Sequence, residues 1–352
     1  MSELSKRSFA VDGLRIIAAQ VIVVHHLASY GYLPQLVAHL LPDLVDFIFD
    51  YGRMAVQVFL VISGFLVANS YAAPRNWHLP AQIAQRFLRL TPVFWFAMVW
   101  IVCTVEIARP FLTQSDWLTV PPSLGQVLSH TFLLHSVLNF PSLSVGVWYV
   151  AIDFQLYVIL TVFVIIGQRY SHSTQSALTK AACAVLVMTM LALFFISYFP
   201  NLDYWGMYFF GSYGLGALAA WGKRTRLMSL FFYLAVFGAL LSYFMDPRER
   251  VAIATAIALI LFIYSPSPRR INARWNRYFS LLADSSYSLF LTHFGVIVLA
   301  NWAWQALGFS DPAAALLCFI VAWGASTAMG LIFHKWVETP VQNLFLSSFK
   351  KI

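Results

Sequence analysis

Two histidines and an arginine in one apolar stretch are the first residues of this chain whose types and spacing could support chemistry. The stretch "DGLRIIAAQVIVVHHL" covers Asp12 to Leu27. On a helix, the eleven residues from Arg15 to His26 rise about 16 Å and return to within about 20° of the starting direction, so the two side chains share a face, whereas His25 points about 80° away. We therefore predict an anion-binding guanidinium and a proton-exchanging imidazole on one helix face. The alternatives are a snorkelling arginine paired with Asp12 and a structural histidine bonded to a neighbouring helix.

A second apolar stretch, "VGVWYVAIDFQLYVIL", contains a carboxylate at a depth similar to that of His26. It carries Asp153, followed at two-residue intervals by Gln155 and Tyr157. A carboxylate beside an imidazole fixes its tautomer and stabilises its charged form, as in general-base sites. We therefore predict that Asp153 orients His26. The alternative is a buried aspartate bonded to helix backbone or water.

The segment "RFLRLTP" places two arginines, Arg86 and Arg89, three residues apart and therefore on one helix face. Paired guanidinium groups suit phosphate recognition, although such charges also occur simply because loops on the cytoplasmic side are basic. Another apolar stretch, "VFLVISGFL", contains Ser63 next to Gly64, a small pair that permits close approach of helices.

The last third of the chain adds further polar candidates. The stretch "SLLADSSYSLFLTHFGVIVL" places Ser286, Tyr287 and His293 on one helix, where they could bond other helices or contact a ligand. Near the C-terminus, Lys335 and Glu338 are spaced as a local i, i+3 ion pair. Other histidines lack metal-ligand spacing, so no metal is predicted. P-loop, dinucleotide-binding, H-E-x-x-H and nucleophile-elbow motifs are all absent from the sequence.

Long apolar runs must position these residues. Hydrophobic residues make up 60% of the 352 residues and charged residues 10%, against about 25% charged in a soluble chain. The sequence therefore predicts an all-α integral membrane protein, a bundle of about ten transmembrane helices forming one domain over 1–352. The predicted spans are 12–30, 54–71, 90–108, 146–167, 179–198, 206–221, 228–245, 250–264, 284–305 and 312–334. The amphipathic segment 123–140 is predicted to lie along the outer interface or to re-enter the bundle.

The distribution of basic residues predicts the orientation. With the N-terminus in the cytoplasm, only Arg53, Arg109, Arg248 and Arg250 of the 22 Lys and Arg fall outside, and the other eighteen fall inside. Both termini are then cytoplasmic. The net charge of +8 is explained by topology and contact with anionic membrane lipids, so no nucleic-acid partner is predicted.

The order of these motifs resembles the acyltransferase-3 family of integral membrane O-acyltransferases, which act mostly on bacterial surface and secreted glycans. The resemblance covers roughly residues 8–345 and includes a final "E-x-P". Arg15 and His26 match the family's arginine–histidine motif, and Arg86 and Arg89 match its R-x-x-R motif. The span-four motif departs from the usual "WSLSVEEQFY", because here it reads "WYVAIDFQLY". The chain is expected to be the standalone form, without an appended extracellular domain.

The resemblance implies an O-acetyltransferase in a bacterial inner membrane. Its donor would be cytoplasmic acetyl-CoA, with phosphates neutralised by the three arginines, and its acceptor a hydroxyl of a carbohydrate or lipid-linked glycan. His26 would be the general base, and Gln155 and Tyr157 are candidate donors to the oxyanion. Direct transfer and a transient acetyl-histidine both remain open. The alternative function is a proton-coupled secondary transporter, disfavoured because the two halves show no internal repeat.

Overall fold

The computed structural model describes residues 8–73, 75–112, 117–264 and 273–349. Part of the orientation argument rests on residues outside these ranges, namely Lys6, Arg7, Arg269, Arg270, Lys350 and Lys351. The described residues form an all-α structure, as predicted. The helices are α1 (Phe9–Ser29), α2 (Leu33–Ala38), α3 (Pro42–Tyr51), α4 (Ala55–Ser70), α5 (Leu79–Ala108), α6 (Leu124–Thr131), α7 (Trp148–Arg169), α8 (Thr174–Phe194), α9 (Phe210–Trp221), α10 (Arg226–Met245), α11 (Glu249–Tyr264), α12 (Ala273–Asp284), α13 (Ser286–Leu307), α14 (Pro312–Phe333) and α15 (Thr339–Phe349). Short 3₁₀ turns occupy Gly52–Met54, Ile196–Tyr198, Pro200–Leu202 and Gly206–Phe209, and a π-helical turn occupies His334–Glu338.

The described ranges contain eight helical segments that are long and apolar enough to cross a membrane. They are Phe9–Ser29, Pro42–Ser70, Leu79–Ala108, Trp148–Arg169, Thr174–Tyr198, Arg226–Met245, Ser286–Leu307 and Pro312–Leu344. Each of the ten predicted spans coincides with a helix, but the count of ten is not confirmed. The helices α9 and α11 have only 12 and 16 residues, fewer than the roughly 20 that a bilayer requires.

The chain divides into two compact units that alternate along the sequence. Unit 1 comprises Met1–Arg15, Val56–Phe87 and Tyr149–Asn272, and unit 2 comprises Ile16–Ala55, Leu88–Trp148 and Ala273–Ile352. The single domain of 1–352 stays a prediction, and each unit is described separately below.

Unit 1 packs helices closely at glycines. A Cβ at Gly64 on α4 would meet the carbonyl oxygen of Tyr213 on α9, and a Cβ at Gly216 would meet the carbonyl oxygen of Val61. The two backbones are therefore in contact, as small residues at membrane helix interfaces allow. Trp221 reinforces this contact, since its Nε1 donates to the Ala68 carbonyl at 2.8 Å. The predicted packing role of Gly64 is confirmed.

Unit 2 is organised around α13, a helix whose polar side chains are largely buried. Asn301 of α13 is fully buried, and its Oδ1 accepts from the backbone N–H of Tyr32 at 2.7 Å. This bond holds the turn at Gly31, which has a φ of +99° that glycine adopts without strain. The same helix contacts α14 closely at Gly330, where a Cβ would meet Leu289. These contacts fix the α13 side chains relative to α1 within unit 2.

Candidate active site

His26 and His293 form a buried imidazole pair in unit 2. Nδ1 of His26 lies 2.7 Å from Nε2 of His293, and the residues are 7% and 0% exposed. The rings are 8° from parallel with centroids 5.0 Å apart. Such a separation requires the bonded nitrogens to lie close to the line between the centroids, so the rings meet edge to edge in one plane. This is the geometry of a well-aligned N–H···N hydrogen bond.

The hydrogen bonds of His293 determine which nitrogen of His26 is free to take a proton. Nδ1 of His293 lies 3.1 Å from the carbonyl oxygen of Leu289, and a carbonyl can only accept, so this nitrogen carries the hydrogen. In the neutral ring, Nε2 of His293 is then an acceptor, and Nδ1 of His26 must be the donor. The neutral His26 therefore presents the lone pair of its Nε2, the same nitrogen that acts as base in serine-protease triads.

Gly146 and Tyr30 lie beside the His26 ring. Gly146 adopts a φ of +79°, and a methyl group there would lie 3.6 Å from Cε1 of His26 and 3.2 Å from Cζ of Phe290. Tyr30 packs against His26 with ring centroids 5.7 Å apart. His25 points away, as predicted, because its Nδ1 lies 3.1 Å from the carbonyl oxygen of Ile48.

Asp153 lies in unit 1 and forms a buried ion pair. One carboxylate oxygen accepts from the Arg86 guanidinium and the other from the Ser63 hydroxyl. Both carboxylate oxygens of Asp153 therefore have partners within unit 1, and the predicted pairing of Asp153 with His26 stays a prediction. The ion pair is well buried, with side chains of Arg86 and Asp153 16% and 7% exposed.

The two predicted oxyanion donors also have partners within unit 1. Oε1 of Gln155 accepts from the backbone N–H of Gly206 at 2.8 Å and so holds the start of the Gly206–Phe209 turn. The ring of Tyr157 stacks under the Arg86 guanidinium, with Cζ 5.2 Å from the ring centroid. Its hydroxyl lies 3.2 Å from that of Tyr71. Tyr157 therefore packs against the ion pair, and Gln155 holds a turn elsewhere in unit 1.

The remaining predicted arginines lie on helices that the two units share. Arg15 is half-buried in the second turn of α1, the helix that also carries His26. Arg89 is exposed on α5, one turn beyond Arg86. Of the three predicted phosphate-binding arginines, Arg86 has its guanidinium engaged by a carboxylate of the protein.

The predicted site residues in the last third of the chain bond to backbone carbonyls or form part of a buried carboxylate cluster. Ser286 Oγ donates to the Ala283 carbonyl at 2.8 Å, and Tyr287 OH donates to the Leu90 carbonyl at 3.2 Å. The predicted ion pair of Glu338 with Lys335 is wrong. Oε2 of Glu338 instead accepts from Ser288 at 2.6 Å and lies 2.9 Å from His334 Nδ1. His334 and Glu338 lie four residues apart at the two ends of the π-helical turn.

Sequence analysis missed a second imidazole pair in unit 2, formed by His130 and His135. Their rings stack with centroids 4.0 Å apart and planes 7° apart, and Phe94 stacks on the other face of His135. His130 is fixed by the Gln126 carbonyl and the Leu143 N–H, whereas both ring nitrogens of His135 are buried without a partner. Burial lowers the pKa of His135 to about 3, with a smaller contribution from His130. No recognised motif spacing in the sequence indicates this pair.

Within the described ranges, no group of three or more His, Cys, Asp or Glu side chains is arranged to hold a metal ion. The His26–His293 pair offers the chemistry of a polarised imidazole. Such a group can accept a proton from a hydroxyl or attack an acyl carbon itself.

Comparison with known proteins now identifies the family. The profile of the acyltransferase domain matches residues 9–331. The chain belongs to this family. It is a multi-pass membrane acyltransferase, which confirms the resemblance noted in the sequence.

Two relatives extend this result. Regulator of hypoxia-inducible factor 1 of Caenorhabditis elegans is 22% identical over 418 aligned positions, which cover 98% of this chain and 81% of the relative. Peptidoglycan O-acetyltransferase OatA of Listeria monocytogenes serovar 1/2a is 24% identical over 170 positions, which cover 46% of this chain and 25% of that protein. No solved structure matches the chain.

Proposed function

We propose that this acyltransferase moves an acetyl group from cytoplasmic acetyl-CoA to a hydroxyl of an outward-facing glycan, with His26 as general base. The observation that carries the proposal is the relay from Leu289 through His293 to His26, because it leaves Nε2 of His26 unprotonated at neutral charge. An acyltransferase needs such a group to remove the proton of the acceptor hydroxyl. General bases typically accelerate reactions by about 10²- to 10⁴-fold.

The proposed step balances with one base. Nε2 of His26 takes the acceptor's hydroxyl proton while the oxygen bonds to the thioester carbonyl carbon. The tetrahedral intermediate collapses by breaking the C–S bond, and the departing sulfur receives the proton from His26. Nδ1 of His26 keeps its hydrogen and its bond to His293 throughout. The same nitrogen could instead form a transient acetyl-histidine before transfer.

The family and the position of Arg15 on α1 support the proposed donor and acceptor. Arg15 lies on the same face of α1 as His26, about 16 Å along the helix toward the N-terminus. Its guanidinium could hold a phosphate of the donor while the acyl chain extends toward the imidazole. The name of the Listeria relative specifies O-acetylation of peptidoglycan, which supports acetyl transfer to a glycan. The proposed location is a bacterial inner membrane with both termini cytoplasmic, in contact with anionic membrane lipids. Family membership favours this activity over the transporter alternative.

The proposal is tested with purified protein in lipid, acetyl-labelled acetyl-CoA and a panel of cell-envelope glycans. We expect His26→Ala to lower transfer by about 10²-fold or more, whereas His25→Ala, a matched neighbour bonded to Ile48, should retain most activity. A wild-type protein that transfers no label to any glycan would refute the donor or the acceptor. Full activity of His26→Ala would refute the base.

The relay has its own test. His293→Gln keeps an oxygen that can accept from Nδ1 of His26, whereas His293→Leu removes it. We expect His293→Leu to lower kcat by a larger factor than it changes KM and to shift the pH profile of kcat. His293→Gln should recover part of the lost kcat. Equal activity of both variants and the wild type would show that His293 does not orient His26. Label retained on His26 after rapid quenching would favour the covalent route.

A further inference from the structure

Unit 1 contains a polar cleft whose lining includes neither His26 nor His293. Its volume is about 370 Å³, and it is lined by Arg75, Asn76, Gln168, Ser171, His172, Ser173, Thr174 and Ala177. Seven of these eight residues are polar, which is unusual in a chain that is 60% hydrophobic. The lining comes from the loop before α5, the end of α7 and the start of α8, all on the side predicted to face the cytoplasm.

The walls of the cleft are held by specific contacts. Gln168 of α7 donates from Nε2 to the Arg75 carbonyl at 2.7 Å, and its Oε1 accepts from the Trp77 N–H at 3.3 Å. Gln168 therefore fixes the loop that carries Arg75. On the opposite wall, Gly167 lets α8 approach α7, because a Cβ there would meet the Ala177 carbonyl. The cleft is thus built by bonded elements, although its mouth is open.

The cleft carries a positive charge, and the two segments that line it supply no acidic residue to neutralise that charge. No Asp or Glu occurs between residues 51 and 105 or between residues 154 and 202, the two segments that supply the lining. The Arg75 guanidinium rests on the Trp77 ring, with Cζ 5.3 Å from the centroid. Among the described residues Arg75 forms no salt bridge with a carboxylate. A guanidinium held in this way matches the geometry of a phosphate.

Two further donors point to an anion. The 21-residue helix α8 begins at the cleft, and the first turn of a helix leaves backbone N–H groups without intrahelical partners. The Ser173 side chain accepts one of them, from Ser176 at 3.2 Å. Independently, the Ser171 hydroxyl is buried in the wall without any hydrogen-bond partner. A hydroxyl in that state has a hydrogen to donate, and an oxyanion in the cleft could accept it.

We infer that this cleft binds a phosphate group, held by Arg75, the Ser171 hydroxyl and the α8 N-terminus. Two molecules could supply it: the nucleotide part of acyl-CoA, a source that rests on the proposed function, or the headgroup of an anionic lipid. Binding of the donor here would explain how its phosphates are recognised although Arg86 is engaged by Asp153.

The test measures binding to the purified full-length protein. The first arm compares CoA with dephospho-CoA, which lacks the 3′-phosphate, by calorimetry. The second arm compares thermal stability in nanodiscs of phosphatidylglycerol with nanodiscs of phosphatidylcholine. The variants are Arg75→Gln and Ser171→Ala. The matched control is Arg169→Gln, which removes an exposed charge at the end of α7 outside the cleft lining.

We expect Arg75→Gln to weaken binding of CoA about 10-fold, Ser171→Ala less, and Arg169→Gln by less than about twofold. Loss of the preference for CoA over dephospho-CoA in Arg75→Gln would place the 3′-phosphate in the cleft, and equal weakening of both would place the diphosphate there. If wild type binds no CoA, the donor assignment fails. The cleft then stands only if Arg75→Gln removes the stabilisation by phosphatidylglycerol. Equal behaviour of Arg75→Gln and Arg169→Gln in both arms would refute the inference.

Discussion

Replacing His135 with phenylalanine should make the protein less sensitive to acid. The His135 ring is fully buried between His130 and Phe94, and its pKa is lowered to about 3 from a usual value of 6.5. Below pH 6.5 the unfolded chain binds a proton at this position and the folded chain does not. The free energy of unfolding therefore falls as the pH falls.

The magnitude follows from the two pKa values. Between pH 8 and pH 5 the unfolded state gains nearly one proton at His135, which lowers the free energy of unfolding by about 2 kcal/mol. Phenylalanine fills a similar space in the stack and does not titrate, so the variant should not lose this amount. Because it also removes two buried nitrogens without partners, it should be more stable than wild type even at pH 8.

The assay is thermal unfolding in detergent at pH 8, 7, 6 and 5, monitored by tryptophan fluorescence. The control is His39→Phe, which replaces an exposed histidine and should follow the wild-type pH dependence. His130, whose pKa is also lowered by burial, is present in every variant and cancels in the comparison. An equal loss of stability in wild type and His135→Phe between pH 8 and pH 5 would refute the reasoning.

Substitutions at Arg86 and Gly146, each with a comparison variant, test two other features of the structure. Arg86→Gln should lower the free energy of unfolding by about 3–5 kcal/mol, because it leaves the buried carboxylate of Asp153 without its counter-charge, and the double variant with Asp153→Asn should recover part of the loss. Thermal unfolding of the wild type and the two variants checks the order of stability, and a double variant less stable than Arg86→Gln would contradict it. Gly146→Ala and Gly308→Ala both place a side chain at positive φ, but only Gly146 lies beside His26, whereas Gly308 has open space around it. Both should lose similar stability, and only Gly146→Ala should slow acyl transfer in the labelling assay; equal slowing would rule out a local effect.

The sequence predicted the positions of the helices better than it predicted the contacts between them. Hydropathy located every apolar run, but it could not show that Gly206–Phe209 is a separate turn held by Gln155, so that α9 begins only at Phe210. Helix length depended here on a side-chain contact between residues about 50 positions apart. Local composition carries no record of such a contact.

The candidate site shows the same limit. His26 and His293 were both identified as polar groups within membrane-length helices, yet their pairing joins positions 267 residues apart. Asp153 was assigned to His26 because the two lie at similar depth along their helices. Depth gives the position along a helix axis but not the direction in which a side chain points. For Asp153 that direction is shown by its bonds to Arg86 and Ser63, which only the folded chain displays.

The relay from His26 ends at a backbone carbonyl and not at a carboxylate. A proton taken up by His26 is shared with a neutral imidazole, so the imidazolium is a stronger acid than the histidine of a triad whose neighbour is an aspartate. Such an ion gives up its proton readily. After each acyl transfer the departing sulfur would receive that proton, and His26 would return to the neutral ring that starts the next cycle without help from a second base.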